Sequence, residues 1–518
     1  MHACLELGEF DAGVFISAWA QTLADHATAP SDASSLFHWH VLTRASAPPS
    51  LASLNTGVHA RTPEHAALRQ MLSEACWGLL PGVHRLRLRV PSHPHVLTHL
   101  TFCIGETSAA LASLDTWMRP AVVEDRASPV IVIGAGLAGA ACARALADRG
   151  YAVRVLDQGT APAAGASGLP VGLVAPHASP DDSVISRLSR AGLRAMRDRM
   201  THLLREGQDW GNSGVQERRL PGKTRKGGAP AMWRTHWPTE GAAWTSDFDA
   251  LNVMDTPAVP DHTLWHPKGA WVRPAALVRA LLQHPRIHWQ GQAQVTHLAC
   301  ATQGGASAAK RWSVMHHDDV LAQGAHIVLA MGPATPKLLQ DSGLAVQALP
   351  MRPLRGQLSW GRMADLPETD GPWPHSPVNG HGCFIHSIAS EDGPAWFAGS
   401  TFDRTRESAD ILAQDHAENL TRVQALLPEH APQFEAAFAP ENVRAWAGVR
   451  CSVPDRLPMV GAVPDAPEGL WVCSAMGSRG LTLAVLCGET LAAQWTGEPS
   501  PLEPALARAL TSSRFVKP

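Results

Sequence analysis

The run Val130-Ile131-Val132-Ile133 passes directly into Gly134-Ala135-Gly136-Leu137-Ala138-Gly139, and from there into small residues at helical spacing. This is the most constraining text in the chain. A short β-branched run reads as a strand buried on both faces. Three glycines after it, at the mouth of a helix, each answer a separate steric demand. Gly134 permits the tight turn, Gly136 lets backbone approach a pyrophosphate, and Gly139 lets the helix close on the strand. The helix N-terminus then offers oriented N–H groups and the positive end of its dipole to phosphate. The spacing predicts a helix over Ala138–Ala147 and a second strand over Tyr151–Leu156. Asp157 ends that strand where an acid receives ribose hydroxyls. An acid there disfavours a 2′-phosphate, so NADP is excluded and FAD and NAD remain.

A second loop separates these two. Trp471–Ser474 reads as a strand, followed by Met476-Gly477-Ser478-Arg479-Gly480-Leu481-Thr482 and the helical stretch LAVLCGETLAAQW. A reduced flavin carries negative charge near N1 and C2=O, which a second helix N-terminus stabilises. NAD needs no such site.

Composition bounds the rest. With 518 residues, 45% of them hydrophobic, the chain has material for two to four domains. A formal net charge of -3 means that any nucleic-acid partner must be held by a local patch. The 9 cysteines are scattered, as expected of reduced thiols, and the 26 histidines are read as scattered too, so no metal is expected. The N-terminus lacks a basic segment before an apolar core. The apolar run Pro129–Cys142 is shorter than the ~20 residues of a membrane span. A soluble, cytoplasmic protein with no membrane partner is the expectation. Residues 1–120 are patterned like an incomplete α/β unit, and 121–128 like a linker. Beyond them, Ile327–Ala330 reads as a buried strand ending at Met331-Gly332. The Gly-, Pro- and aromatic-rich text from Trp360 to Asp415 suits an antiparallel sheet. Arg218, Arg219, Lys223, Arg225 and Lys226 cluster around Pro221-Gly222. They form a solvated loop or, with Arg352 and Arg355, a phosphate contact.

Residues 129–518 resemble the D-amino-acid-oxidase-type flavoproteins, and within them the oxidoreductase domain of the MnmC family of tRNA wobble-uridine modification enzymes. The text carrying this is VIVIGAGLAGAACARALADRGYAVRVLDQG, GASGLPVGLVAPH (165–177), PLRGQLS (353–359), GSTFDR (399–404), DHAENL (415–420), WAGVRCSVPDRLPMVGAVPD (446–465), GSRGLTLA (477–484) and the terminal Arg514-Phe515. The resemblance implies a Rossmann-like FAD-binding domain (about 129–190, 266–340 and 446–500) interleaved with an antiparallel-sheet substrate domain (about 191–265 and 341–445). It implies non-covalent FAD, with Cys451 a small semi-buried residue and not a flavin attachment point. Gly165, Ser167 and Gly168 join Gly134, Gly136, Gly139 and Asp157 as cofactor residues, as do Gly477, Ser478, Gly480, Leu481 and Thr482. Arg450 matches the position that holds the substrate carboxylate in related amine oxidases, and Arg479 a second such position. Substrate would be the anticodon region of tRNA, with O2 as the electron acceptor.

Residues 1–118 resemble a damaged methyltransferase domain of the same family. CLELGEFDAG (4–13) has an extra residue and lacks the middle glycine of the nucleotide loop, and the catalytic segment expected after Trp117 is missing. No methyltransferase activity is expected. The reading is oxidation of 5-carboxymethylaminomethyl-2-thiouridine to 5-aminomethyl-2-thiouridine. Its rivals are a small-molecule amine oxidase of glycine, sarcosine or D-amino-acid type, and a non-catalytic flavin-carrying RNA-binding scaffold.

Overall fold

The computed structural model describes residues 2–26, 36–45, 62–76, 82–93, 95–104, 128–179, 183–218, 263–302, 310–344, 349–367 and 372–516. A six-stranded sheet carries the glycine loops. Its order is Ile287–Gln290, Val153–Leu156, Val130–Ile133, His326–Leu329, Leu470–Ser474 and Met459–Ala462. All neighbours are parallel except the last pair. The Val130–Ile133 strand is buried throughout, as its β-branched run requires. The helix begins at Leu137, one residue earlier than expected, and the second strand at Val153, two later. The strand expected at Ile327–Ala330 runs from His326 to Leu329, and Gly332 follows with φ +63°.

Helix Gly480–Thr496 is buried on nearly every face. It lies against helix Leu137–Ala147, whose alanines and Gly139 leave room for a close approach. Helix Val184–Leu203 packs beside it. Leu193, Met196 and Met200 share one core with Val130 and Val132, on the flavin side of the boundary expected near 191. On the other face, Trp312 and Val314 of a three-stranded antiparallel sheet cover Ile131 and Ile133.

A seven-stranded sheet forms the second layer system. Its order is Thr263–His266, Val215–Arg218, Val378–Gly380, Gly382–Ser390, Gly393–Gly399, Arg352–Arg362 and Arg444–Ser452. The antiparallel expectation holds over 378–399, where the three strands form a meander. No strand follows between Gly399 and the expected limit at Asp415, and helix Ala413–Leu426 begins just before that limit. Asn419, Val423 and Leu426 lie at i, i+4 and i+7 and form a buried face, and Val423 and Leu426 pack with Phe384 and Trp396 of the sheet. Helical spacing in the DHAENL text was the signal that its polar composition concealed.

The N-terminal residues fold into an α/β unit with a core of their own, which includes Phe15, Trp19, Trp39, Leu72 and Phe102. Strands His2–Glu9, Phe37–Ala45 and Val96–Ile104 are parallel neighbours, and Gly82–Leu88 adds antiparallel to the last. This unit rests on the domain built on the six-stranded sheet through arginines. Arg87 Nη1 donates to Glu489 Oε1 at 2.6 Å, and Arg85 Nη1 donates to the Pro499 carbonyl. One histidine reading is corrected here. His38-Trp39-His40 is a closely spaced pair on one strand, and the neighbouring strand places His99 directly opposite His40. All three are buried, with ring nitrogens within 4.8 Å of one another. Among the described residues no helix is long and apolar enough to cross a membrane.

Candidate active site

Each glycine of the first loop has a measurable reason to be there. Gly134 has φ +109°, and a Cβ on it would lie 2.7 Å from the Ala330 carbonyl oxygen. A Cβ on Gly139 would collide with the carbonyl oxygen of Gly134 itself. Gly136 is the N-cap of the helix. A Cβ there would meet Ser167 Oγ at 3.1 Å, because that hydroxyl accepts a 2.9 Å hydrogen bond from the Leu137 N–H. Ser167 therefore closes on the helix mouth from another part of the chain. The Asp157 carboxylate accepts from the Ala135 N–H at 2.6 Å and from the Gly159 N–H at 2.7 Å, one per oxygen. It ties the loop to the strand end. Each oxygen keeps a second lone pair, so ribose hydroxyls can still donate to it.

Gly165 and Gly477 both face open space, with no atom within 4 Å of a Cβ built on either. Gly168 is confined, since a Cβ would lie 2.8 Å from the Ala163 carbonyl oxygen. Gly477, Ser478 and Arg479 form a single 3-10 turn, and the long helix starts at Gly480. A Cβ at Gly480 would sit 3.7 Å from Leu137 Cδ1, so the second helix mouth opens beside the first. Leu481 and Thr482 are buried, and Thr482 Oγ1 donates to the Ala175 carbonyl at 3.2 Å. They anchor the helix start, while Gly477 is half-buried and Ser478 exposed. Open backbone at two glycines beside two adjacent helix mouths fits a dinucleotide with an anionic ring system.

One strand links the Ser167 turn to the second helix mouth. Arg444–Ser452 packs against the turns Ala166–Gly168, Gly332–Ala334 and Gly477–Arg479. It carries Arg450. The Arg450 guanidinium donates to the Thr401 carbonyl at 2.9 Å, makes longer contacts of 3.3 Å to Ser400 Oγ and 3.4 Å to the carbonyls of Leu354 and Arg355, and lies 4.7 Å from the centroid of Phe402. None of these partners is an acid. Burial pushes its pKa down to about 10. Arg479 makes no side-chain hydrogen bond or ion pair among the described residues. Burial and Arg456 push its pKa down, while Glu217 pulls it up. Ser400, Thr401 and Phe402 belong to the GSTFDR text, but nothing in their spacing places them around Arg450.

Cys451 beside it is buried, and burial raises its thiol to about 11, the reverse of what a reactive thiolate needs. Two of the arginines expected to meet phosphate are engaged within the fold. Arg218 is buried and donates to Glu429 Oε1 at 2.6 Å and to the Leu426 carbonyl. Arg355 is fully buried, with Asp415 Oδ2 at 2.6 Å and Gln357 Oε1 at 3.1 Å. Both hold the sheet to its covering helix and are not phosphate contacts. Arg352 is exposed; Arg219, Lys223, Arg225 and Lys226 lie outside the described residues.

The family described as "DAO: FAD dependent oxidoreductase" matches residues 129–494. The tRNA 5-methylaminomethyl-2-thiouridine biosynthesis bifunctional protein MnmC of Paracidovorax citrulli is 47% identical over 400 residues, 75% of this chain and 60% of that protein. Its namesake from Verminephrobacter eiseniae is 37% identical over 587 residues, 92% of this chain and 91% of that protein. Against several such relatives, then, the match spans about 60% of their length. Among solved structures, the glycine oxidase of Geobacillus kaustophilus superposes with a TM-score of 0.55 at 19% identity, over 75% of this chain and 99% of that one, which speaks for the fold alone. The glycine loops, the parallel sheet and the sequence matches together make this chain a member of the DAO family of FAD-dependent oxidoreductases, and a relative of the MnmC proteins.

Proposed function

We propose that this protein oxidises the carboxymethylaminomethyl arm of a wobble 2-thiouridine in tRNA, leaving 5-aminomethyl-2-thiouridine and releasing glyoxylate. The observation that carries the reading is Arg450. It is a desolvated guanidinium with only neutral hydrogen-bond partners among the described residues, on a strand that packs against the Ala166–Gly168 and Gly477–Arg479 turns. A planar fork of N–H donors without an acid beside it suits a substrate carboxylate, which it can bind through two parallel bonds. Arg479 supports the same reading from the other side. It is the N-cap of helix Gly480–Thr496, where a cation opposes the helix dipole unless an anion lies nearby.

FAD, when bound, accepts a hydride from the carbon between the amine and the carboxylate. The backbone of Gly134–Gly136 and the Leu137 helix mouth would hold the pyrophosphate, with Asp157 on the ribose. The turn Gly477–Gly480 would face the flavin ring. Arg450 would fix the carboxylate and so present that carbon to the flavin, which is the main service the protein must give to a neutral secondary amine. The resulting imine is hydrolysed by water. O2 is the proposed acceptor for reoxidation, and the cytoplasm the proposed compartment. The names of the relatives support tRNA as the substrate.

Methyl transfer is not part of this reading. Strand His2–Glu9 ends at the altered loop, and Asp11 Oδ1 accepts from the Val14 N–H at 2.9 Å, so the following helix is capped by its own carboxylate. A methyl donor's carboxylate would meet like charge there. The deciding experiment is anaerobic mixing of the purified protein with hypomodified tRNA. Flavin absorbance should bleach with tRNA carrying the carboxymethylaminomethyl group and not with tRNA lacking it. Bleaching by free glycine or sarcosine alone would replace this reading with a small-molecule oxidase.

A further inference from the structure

Between the N-terminal sheet and the flavin domain lies a cavity lined by Arg85, Arg87, His99, Arg194, Glu489 and Pro501. We infer that it binds a small tetrahedral oxyanion of the phosphate or sulfate type. Three of its lining side chains hold buried nitrogens with no hydrogen-bond partner among the described residues: Arg85 Nε, Arg87 Nη2 and His99 Nδ1. Arg87 and His99 are almost wholly buried, with the Arg87 side chain 6% exposed. Buried donors are ordinarily paired, and a cationic donor left unpaired in a low dielectric is costlier still.

The surrounding charges leave room for an anion. Arg85 bonds only to neutral groups, the Pro499 carbonyl and His40 Nδ1, and burial pushes its pKa down to about 10. Glu489 is the acid on the cavity wall, and its charge is already shared. It is 2.6 Å from Arg87, 2.8 Å from Arg199 and 3.1 Å from Arg149. Arg149 in turn pairs with Glu498, and Arg199 with Asp148. The acids therefore answer Arg87, Arg149 and Arg199, with Asp198 a further 3.5 Å partner of Arg87, while Arg85 has no carboxylate among its bonded partners in the described residues.

The histidines point the same way. Arg85 can only donate, so His40 Nδ1 accepts at 2.6 Å and the His40 proton sits on Nε2, 3.5 Å from Glu498 Oε2. His38 Nδ1 and His99 Nε2 are 2.9 Å apart and share one proton. When His38 donates it, His99 carries its own proton on Nδ1, as a third donor for the anion. Three histidines this close would otherwise suggest a metal ion. A metal needs a lone pair from each ring. In this tautomer His40 offers none without losing Arg85, and Arg85 is itself a cation in contact with the trio.

The test uses the full FAD-loaded chain, freed of phosphate and titrated by calorimetry with sodium phosphate, then sodium sulfate, against sodium chloride at matched ionic strength. The expected result is saturable binding of one oxyanion per chain and a rise in Tm that chloride does not reproduce. Arg85→Met and His99→Leu should each weaken phosphate binding tenfold or more with FAD content retained, while the exposed Arg406→Met leaves it unchanged. Should the interface variants misfold, the wild-type comparison of phosphate with chloride decides alone. Equal effects of phosphate and chloride would overturn the inference. So would stoichiometric zinc in protein purified without a metal column, if His99→Leu removes it.

Discussion

Gly488 stands where helix Gly480–Thr496 meets helix Leu137–Ala147, and a Cβ on it would lie 2.7 Å from both the carbonyl carbon and the oxygen of Ala141. Both helices start at a loop proposed to hold the cofactor, so their spacing fixes how the two loops face each other. Gly488→Ala gains helix propensity, up to about 1 kcal/mol. Overpacking against backbone should outweigh it, for a net loss of stability of roughly 1–2 kcal/mol. Denaturant unfolding checks this, together with the FAD affinity of the refolded protein, which should weaken. Unchanged or higher stability would show that the helices can part at no cost.

Gly136 is limited differently. Its Cβ position has only Ser167 Oγ nearby, so Gly136→Val should leave a folded protein. The added side chain occupies the path of the pyrophosphate. The variant should purify colourless and resist reconstitution with FAD. A yellow Gly136→Val protein with normal FAD content would remove the first loop from the cofactor site.

Acid should loosen the N-terminal interface earlier than most folds. Burial, reinforced by Arg149, lowers the pKa of His38 to about 3, against Glu498, Glu489 and Asp148, which raise it. Burial and Arg85 lower His40 and His99 well below their usual range. A histidine with a depressed folded pKa binds fewer protons folded than unfolded below its ordinary value of about 6.5. Stability is therefore whole above that pH and is lost as pH falls through it, by roughly 1.4 kcal/mol per histidine for each further unit. Glu489 and Glu498, whose folded pKa values are depressed by Arg87 and Arg149, add a second loss below their unfolded values near 4.5. Chemical denaturation at pH 7.5 and 5.5 should show a drop that is smaller in His38→Leu. A flat profile would mean the trio is already solvated.

The cofactor half was legible because its chemistry is local. A strand, three glycines and Asp157 lie within one βαβ unit, and each glycine's role follows from the backbone geometry of a few neighbours. Arg450 needed its context, since the carbonyls of Leu354, on a strand 96 positions away, and Thr401, just past a strand 49 positions away, both reach it. Arg218 and Arg355 misled for the same reason. Charge along the chain does not reveal that Arg355 will meet Asp415 or Arg218 will meet Glu429, and pairing, not sign, decides whether an arginine is free for phosphate. The His38, His40 and His99 trio was half visible, since alternation on a strand puts His38 and His40 on one face. Only the register of the next strand supplies His99.

S-adenosylmethionine should not bind. Calorimetry at protein concentrations near 50 µM, roughly the range that resolves micromolar affinity, should give no heat beyond dilution. Asp11→Gly would free the Val14 N–H that its carboxylate now accepts. It still leaves the extra residue in the loop, so it should not restore binding. Micromolar affinity in the wild-type chain would show that the altered loop retains its nucleotide site.

Arg450 gives the sharpest test of the proposed chemistry. Truncating one partner of a bidentate, partly desolvated charge pair costs about 2–5 kcal/mol. At 1.4 kcal/mol per factor of ten, Arg450→Ala should slow anaerobic flavin reduction by tRNA roughly 30-fold or more. Arg450→Lys should recover only part, because an ammonium lacks the planar fork and cannot also serve the Thr401 carbonyl and Ser400 as the guanidinium does. Loss of those contacts carries a structural cost of its own, so Tm and FAD content must be read beside the rate. A slow variant with wild-type FAD content and near-wild-type Tm places Arg450 on the substrate. A variant that reduces at the wild-type rate rejects the assignment. A variant that has shed its flavin moves Arg450 to the cofactor side and makes Arg479, at the mouth of the second helix, the residue to test next for the carboxylate.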